Sequence, residues 1–285
     1  MSRIFSETLH RGYAQTMAID GDMLADERSS FQHIQIFDTP SVGRVMVLDG
    51  NVQITERDEA SYSEMLTHLP ILETGSVKRV LIIGGGDGAV AEEALKHPDL
   101  HVDMCEIDER VVALCKMHLA SVHKGAFDHP RFTLHVRDAF DFMREGENRG
   151  AFDLIIADRP DPIGPAEVLF RTEFYELLRE SLTDTGVVVF QNGVPFFQPE
   201  ELSGTLAQLR KVFSHSGCYL TVTPTYVGGF MALTWGSRGT ALGSAPRHVV
   251  EERFRHSTIQ TDYYNADIHA AAFMLPEWIR RLTHR

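Results

Sequence analysis

Apolar and polar positions alternate through the first part of the chain. Phe31–Phe37 alternates, as does Arg44–Leu48, and Asp49-Gly50 makes a two-residue hairpin turn into Asn51–Thr55. Residues 1–66 therefore predict a small β-strand domain. After Glu56-Arg57-Asp58-Glu59 the period changes. Tyr62, Met65, Leu66 and Leu69 recur at helical spacing, which predicts a helix ending before Pro70 and a turn near Gly75.

From Val77 onward, short apolar runs alternate with helical patterns. Strands are predicted at 79–83, 101–105, 132–136, 152–157 and 186–190, and helices at 89–97, 108–119, 138–144, 170–182 and 200–213. Strictly alternating strands and helices imply an α/β fold, a doubly wound and mainly parallel sheet with right-handed crossovers. A closing antiparallel pair is expected at 218–223 and 229–235. Residues 67–285 are read as one Rossmann-like catalytic domain.

Net charge is −13 over 285 residues, which disfavours nucleic acid and anionic membranes as partners and would concentrate a cationic ligand. Cys105, Cys115 and Cys218 form no CxxC, so neither a disulfide framework nor a zinc knuckle is expected. The fourteen histidines show no HExxH or HxH spacing; no metal site is expected, and most are read as surface or capping residues. Met1–His10 is polar and no apolar run is long enough to span a bilayer, so the expected location is cytoplasmic.

Two loops carry the candidate chemistry. Gly84-Gly85-Gly86-Asp87-Gly88-Ala89 joins the first parallel strand to its helix. It satisfies both the GxGxxA dinucleotide fingerprint and the GxGxG pattern of adenosylmethionine-binding folds. Asp87 separates the two readings: a carboxylate inside the loop repels a pyrophosphate and welcomes an ammonium or a sulfonium. Glu106 follows the second strand, some 20 residues beyond Gly86, where an acid takes ribose hydroxyls. Asp108 is read as the cap of the next helix, and Asp138, after the third strand, is placed to accept from an adenine amino group. The second loop, Asp158-Arg159-Pro160-Asp161-Pro162-Ile163-Gly164-Pro165-Ala166, puts two carboxylates past the C-terminal end of the fourth strand, the edge where open α/β sheets bind ligands. A stiff, doubly acidic loop suits a cationic substrate, although Asp161 has an alternative as a helix cap.

These loops, together with Leu48–Glu59, Pro224-Thr225-Tyr226 and Tyr263-Tyr264-Asn265, resemble the polyamine aminopropyltransferases, the spermidine synthase family, through nearly the whole chain. The resemblance implies a methyltransferase-like Rossmann domain behind a small β domain. It also implies decarboxylated S-adenosylmethionine as aminopropyl donor, with no resident cofactor, and a diamine, usually putrescine, as acceptor. By motif position the donor would be held by Gln32, Gln53, Gly84, Asp87, Glu106, Asp138, Ala139 and Pro165. The acceptor would be held by Tyr62, Asp158, Asp161, Gln191 and Tyr226, with Asp158 as general base assisted by Tyr62. For Tyr62 and Tyr226 sheet packing is the plain alternative. A homodimer or homotetramer is implied.

The chain departs from that pattern at Arg159-Pro160, where two small hydroxyl residues are usual, and at Ser63, where His or Gln is usual. Arg159 would either turn to solvent or bind a substrate carboxylate. The second possibility opens an alternative function: aminocarboxypropyl transfer from intact S-adenosylmethionine, or a carboxylated acceptor. An ordinary methyltransferase and a nicotinamide dehydrogenase are the rivals of another class.

Overall fold

The structure, a computed structural model, describes residues 3–158 and 171–284. In the N-terminal part, β1 (Ile4–Glu7) and β2 (Gln15–Ala18) form an antiparallel hairpin. Then β3 (Asp20–Arg28), β4 (His33–Thr39), β5 (Gly43–Leu48) and β6 (Asn51–Thr55) form a four-stranded antiparallel sheet in chain order. Helix α1 (Glu59–Thr74) leads into β7 (Arg79–Gly84), α2 (Ala89–Leu95), β8 (His101–Glu106), α3 (Glu109–His118), α4 (Ala120–His123), β9 (Phe132–Val136), α5 (Ala139–Arg144) and β10 (Phe152–Asp158). After the loop come α6 (Thr172–Ser181), β11 (Leu182–Gln191), α7 (Pro199–Val212), β12 (His215–Val222), β13 (Phe230–Ser237), α8 (Arg247–Ser257), α9 (Ala266–Ala272) and α10 (Glu277–Thr283).

The large sheet runs β12-β13-β11-β10-β7-β8-β9. Its five central and outer strands from β11 to β9 are parallel, and β13 and β12 close it antiparallel. This is the doubly wound, mainly parallel sheet that the alternation predicted. Chain order reverses between β7 and β10, so the crevice at their C-terminal ends is the topological switch point. Both loops singled out in the sequence leave from these two strands.

Alternation in the small sheet buries both of its faces. Ile34, Ile36, Met46 and Ile54 pack on Val111, Leu114 and Cys115 of α3, while Phe37, Val45, Val47 and Val52 pack on Phe5 and Met17 of the hairpin. The β unit is thus clamped to the large domain by α3, the helix that follows β8.

Helix α1 does not stop before Pro70. It continues to Thr74 and ends at Gly75, whose φ of 75° allows a left-handed cap with its N–H on the Ile71 carbonyl. An internal proline costs about 3 kcal/mol. Met65, Leu66, Leu69 and Leu72 are all buried, and each contributes about 1.5–3 kcal/mol, so packing outweighs the lost hydrogen bond. Residue 66 lies inside this helix.

Strand β11 starts at Leu182, directly after α6 and earlier than the apolar run at 186–190. The three C-terminal helices were not predicted. Helix α8 buries only Val250, which leaves little apolar periodicity to read. Four of the fourteen histidines are exceptions to the surface reading. His68, His97, His123 and His269 are buried, with His68 between Glu93 at 2.8 Å and His97 at 3.1 Å, and His269 between Glu73 and the Tyr264 hydroxyl. Among the described residues no three His, Cys, Asp or Glu side chains are grouped to hold a metal, and no helix is long and apolar enough to cross a membrane.

Candidate active site

The glycine loop is shaped by what lies against it. Gly84 has φ of 82° and faces Asp158 in the β7–β10 register; a Cβ there would stand 2.2 Å from the Asp158 carbonyl oxygen. At Gly86 a Cβ would meet a Glu106 carboxylate oxygen at 3.0 Å. Backbone without side chains therefore passes between two carboxylates, one from β10 and one from β8. Asp87 sits at the next position and accepts the Ala89 N–H at 2.8 Å, at the start of α2.

Three acids of this crevice lie above the ordinary carboxylate range. Burial pushes Glu106 up to about 7, against hydrogen bonds from the Asp108 and Ile107 N–H groups. Burial and the charge of Asp158 push Asp87 up. Burial also raises Asp158, the Tyr62 hydrogen bond opposes that shift, and Glu106 adds to it. Among the described residues no cation of the protein joins these clustered carboxylates, and such a cluster favours a cationic ligand.

Helix α1 brings Tyr62 to Asp158, whose Oδ1 accepts a hydrogen bond from the phenol hydroxyl. Tyr226, in the loop between β12 and β13, sets its ring 5.8 Å from that of Tyr62 at 76° and donates its hydroxyl to the Gln53 carbonyl. Burial raises both phenols well above their ordinary value, so each stays protonated near neutral pH. Gln191 ends β11, and its Oε1 is buried with no hydrogen-bond partner among the described residues. A buried orphan acceptor at the strand edge fits an ammonium ligand.

At the other end of the crevice, Asp108 caps α3 through the Arg110 N–H, as the sequence suggested, and also accepts Ser29 Oγ at 2.6 Å and Gln32 Nε2 at 2.9 Å. Glu106 keeps its second oxygen toward the glycine loop. Asp138 is exposed and caps α5 through the Phe140 N–H at 2.7 Å, with Ala139 buried behind it. Gln53 turns its amide to the Asn51 carbonyl.

Ser63 is fully buried and spends its hydroxyl on the backbone and carboxylate of Glu59. Burial pushes Glu59 up to about 7, a position that sequence reading did not single out although it ends the Thr55–Glu59 string. Arg159, Asp161 and Pro165 lie outside the described residues.

A parallel sheet with this strand order, a glycine loop and an acidic crevice at its switch point define an adenosyl-binding transferase of the methyltransferase fold. Comparisons with known proteins narrow it. The family model for the spermine/spermidine synthase domain matches residues 59–242, and that for the spermidine synthase tetramerisation domain matches residues 4–56. The chain is similar to polyamine aminopropyltransferase 1 of Pseudomonas aeruginosa, 47% identical over 276 residues and covering 96% of each chain. It is likewise similar to the polyamine aminopropyltransferase of a Ruegeria species, 46% identical over 278 residues, 97% of each. Among solved structures, the spermidine synthase of Thermotoga maritima superposes with a TM-score of 0.90 at 30% identity, covering 100% of this chain and 96% of that one. A spermidine synthase in complex with the transition-state analogue AdoDATO gives 0.92 at 30% identity, with coverage of 100% and 97%. The chain belongs to the spermine/spermidine synthase family.

Proposed function

We propose that this enzyme is a polyamine aminopropyltransferase that moves the aminopropyl group of decarboxylated S-adenosylmethionine to a diamine, putrescine. The products are spermidine and methylthioadenosine. The observation that carries this reading is the junction of Asp158 with Gly84 and Tyr62: a proton acceptor built onto the strand edge beside the adenosyl loop.

The acceptor amine forms a bond to the propyl carbon as the C–S bond breaks, and the sulfur leaves as neutral thioether. The amine must first give up a proton. With a pKa of about 10.4 in the lysine model, roughly 0.1% of it is free at neutral pH. In this reading Asp158 takes that proton and the Tyr62 hydroxyl holds its carboxylate in place. Asp87 faces the donor's ammonium and sulfonium end, Glu106 the ribose, and Asp138, Ala139, Gln32 and Gln53 the rest of the adenosyl group. Gln191 and Tyr226 receive the acceptor. Gly84 leaves room for the donor, and Asp161 and Pro165 belong to the same reading by motif position. Because the leaving group is already cationic, holding both substrates in line is the main catalytic task.

The alternative of a carboxylated donor or acceptor is not favoured by the relatives, and Arg159, on which it rests, lies outside the described residues. Oligomerisation follows from the tetramerisation domain of the family, and a homodimer or homotetramer through the N-terminal β unit is part of the proposal. So are the domain division at residue 66 and a cytoplasmic location. A mass-spectrometric product assay decides the function: it crosses carboxylated and decarboxylated donors with putrescine, cadaverine, agmatine, spermidine and ornithine. Methylthioadenosine and spermidine are expected; S-adenosylhomocysteine as product would make it a methyltransferase.

A further inference from the structure

The N-terminal hairpin reaches the loop that carries Tyr226. Gln15, on β2, donates its amide nitrogen to the Thr225 carbonyl at 2.9 Å and to Glu7 on β1. Glu7 is 5% exposed, and its other oxygen accepts the Val52 N–H at 2.7 Å. The Thr225 N–H is held in turn by Asp58 at 2.8 Å, while Asp58 also accepts the Thr55 hydroxyl at 2.6 Å. The peptide groups on both sides of Thr225 are therefore fixed by residues of the N-terminal part, and the Tyr226 hydroxyl is fixed by Gln53. The hairpin tip adds to this. His10 stacks on Phe197 at 4.3 Å and Tyr13 packs on the same ring at 5.3 Å, in the loop that follows Gln191.

We propose that Gln15, oriented by Glu7, is a positioning residue for Tyr226, so that the hairpin sets the affinity for the amine acceptor. The inference rests on the reading of Tyr226 as an acceptor residue. Position 15 needs an amide: its two N–H bonds serve a carboxylate and a carbonyl at once. A carboxylate there would oppose both partners, and an apolar side chain would leave both unpaired. Asp87, Glu106 and Asp138 stand at the ends of β7, β8 and β9, which these bonds do not reach, and the network meets the donor side only at the Gln53 carbonyl and the Val52 N–H, both backbone groups, so the acceptor end should feel the change most.

Gln15→Leu, Glu7→Gln, their double variant and Tyr226→Phe test this by steady-state kinetics with putrescine and by calorimetry with methylthioadenosine. For Gln15→Leu the putrescine KM should rise about 10-fold while kcat falls by at most about 3-fold and the methylthioadenosine Kd stays within about 2-fold. Glu7→Gln should move the same constant in the same direction, and the double variant should be no worse than Gln15→Leu alone, since both act through one contact. A Gln15→Leu enzyme with unchanged putrescine KM, or with KM, kcat and methylthioadenosine binding all impaired together, overturns the inference. If Tyr226→Phe raises KM and Gln15→Leu does not, only the inference fails. If Tyr226→Phe leaves KM unchanged, the reading of Tyr226 falls and the inference with it.

Discussion

The Tyr62 hydroxyl donates to Asp158 Oδ1 across 96 residues of chain, joining a helix that follows the N-terminal sheet to the end of a central strand. Because burial keeps the phenol protonated, the bond has one direction, and it holds the Asp158 carboxyl below where burial alone would put it. Tyr62→Phe removes that restraint. The carboxyl should then bind its proton more tightly and be a poorer base at a given pH. The acid limb of the kcat/KM profile is expected to move up by about 1 pH unit. A limb that stays in place would mean that Tyr62 does not act on the ionisation of Asp158.

Asp158→Asn keeps the shape of the side chain and removes its capacity to accept a proton. Turnover with putrescine should fall by about 10²–10⁴-fold, the usual contribution of a general base. Methylthioadenosine binding should be nearly unchanged. Near-normal turnover of this variant at neutral pH would remove Asp158 from the role of base.

Glu106→Gln tests the donor pocket and the cost of building it. Burial raises Glu106 from 4.5 to about 7 in the ligand-free protein. A raised carboxyl contributes stability that is complete below its unfolded value near 4.5 and is lost as pH rises through about 7. The permanently neutral glutamine should therefore stabilise the free protein at pH ~8, on the order of 2 kcal/mol, and change little at pH ~4. On the proposed role, ribose hydroxyls would donate to the charged form, so wild-type affinity for methylthioadenosine should fall as pH drops below about 7. The variant should bind about 1.5–3 kcal/mol more weakly at high pH. Thermal melts and calorimetry at both pH values check the two halves, and equal affinity in both proteins would assign the ribose to another residue.

Gly84→Ala should disrupt the crevice rather than tune it. The substitution adds a side chain at φ of 82° and drives it into the Asp158 carbonyl, which is backbone and has nowhere to turn. A loss of at least about 3 kcal/mol is expected, from left-handed strain and strand separation together. Urea unfolding measures it; a variant as stable as wild type would mean that β7 and β10 do not approach this closely.

Local pattern alone determined much of this protein. The five parallel strands were legible because buried strands read as apolar runs, and the hairpin at Asp49-Gly50 because its turn chemistry is local. The glycine loop, Glu106 and Asp158 were legible as candidates because each falls at a strand end, where the structure brings them together. Long-range packing decided the rest. Helix α1 runs through Pro70 only because four buried apolar side chains outweigh the proline, a balance invisible in the segment itself. The C-terminal helices show too little apolar periodicity to be read, and buried hydrogen bonds tie the chain beside them down: Glu64 accepts the N–H groups of Asp262, Tyr263 and Tyr264 from nearly 200 residues away. Gln15, Glu7 and Glu59 carry no signal of their own, since an isolated polar residue in a strand or at a helix start reads as surface. Only the tertiary fold brings Thr225 to Gln15 and Val52 to Glu7, and only burial shifts Glu59, whose partner Ser63 lies one turn further along the same helix.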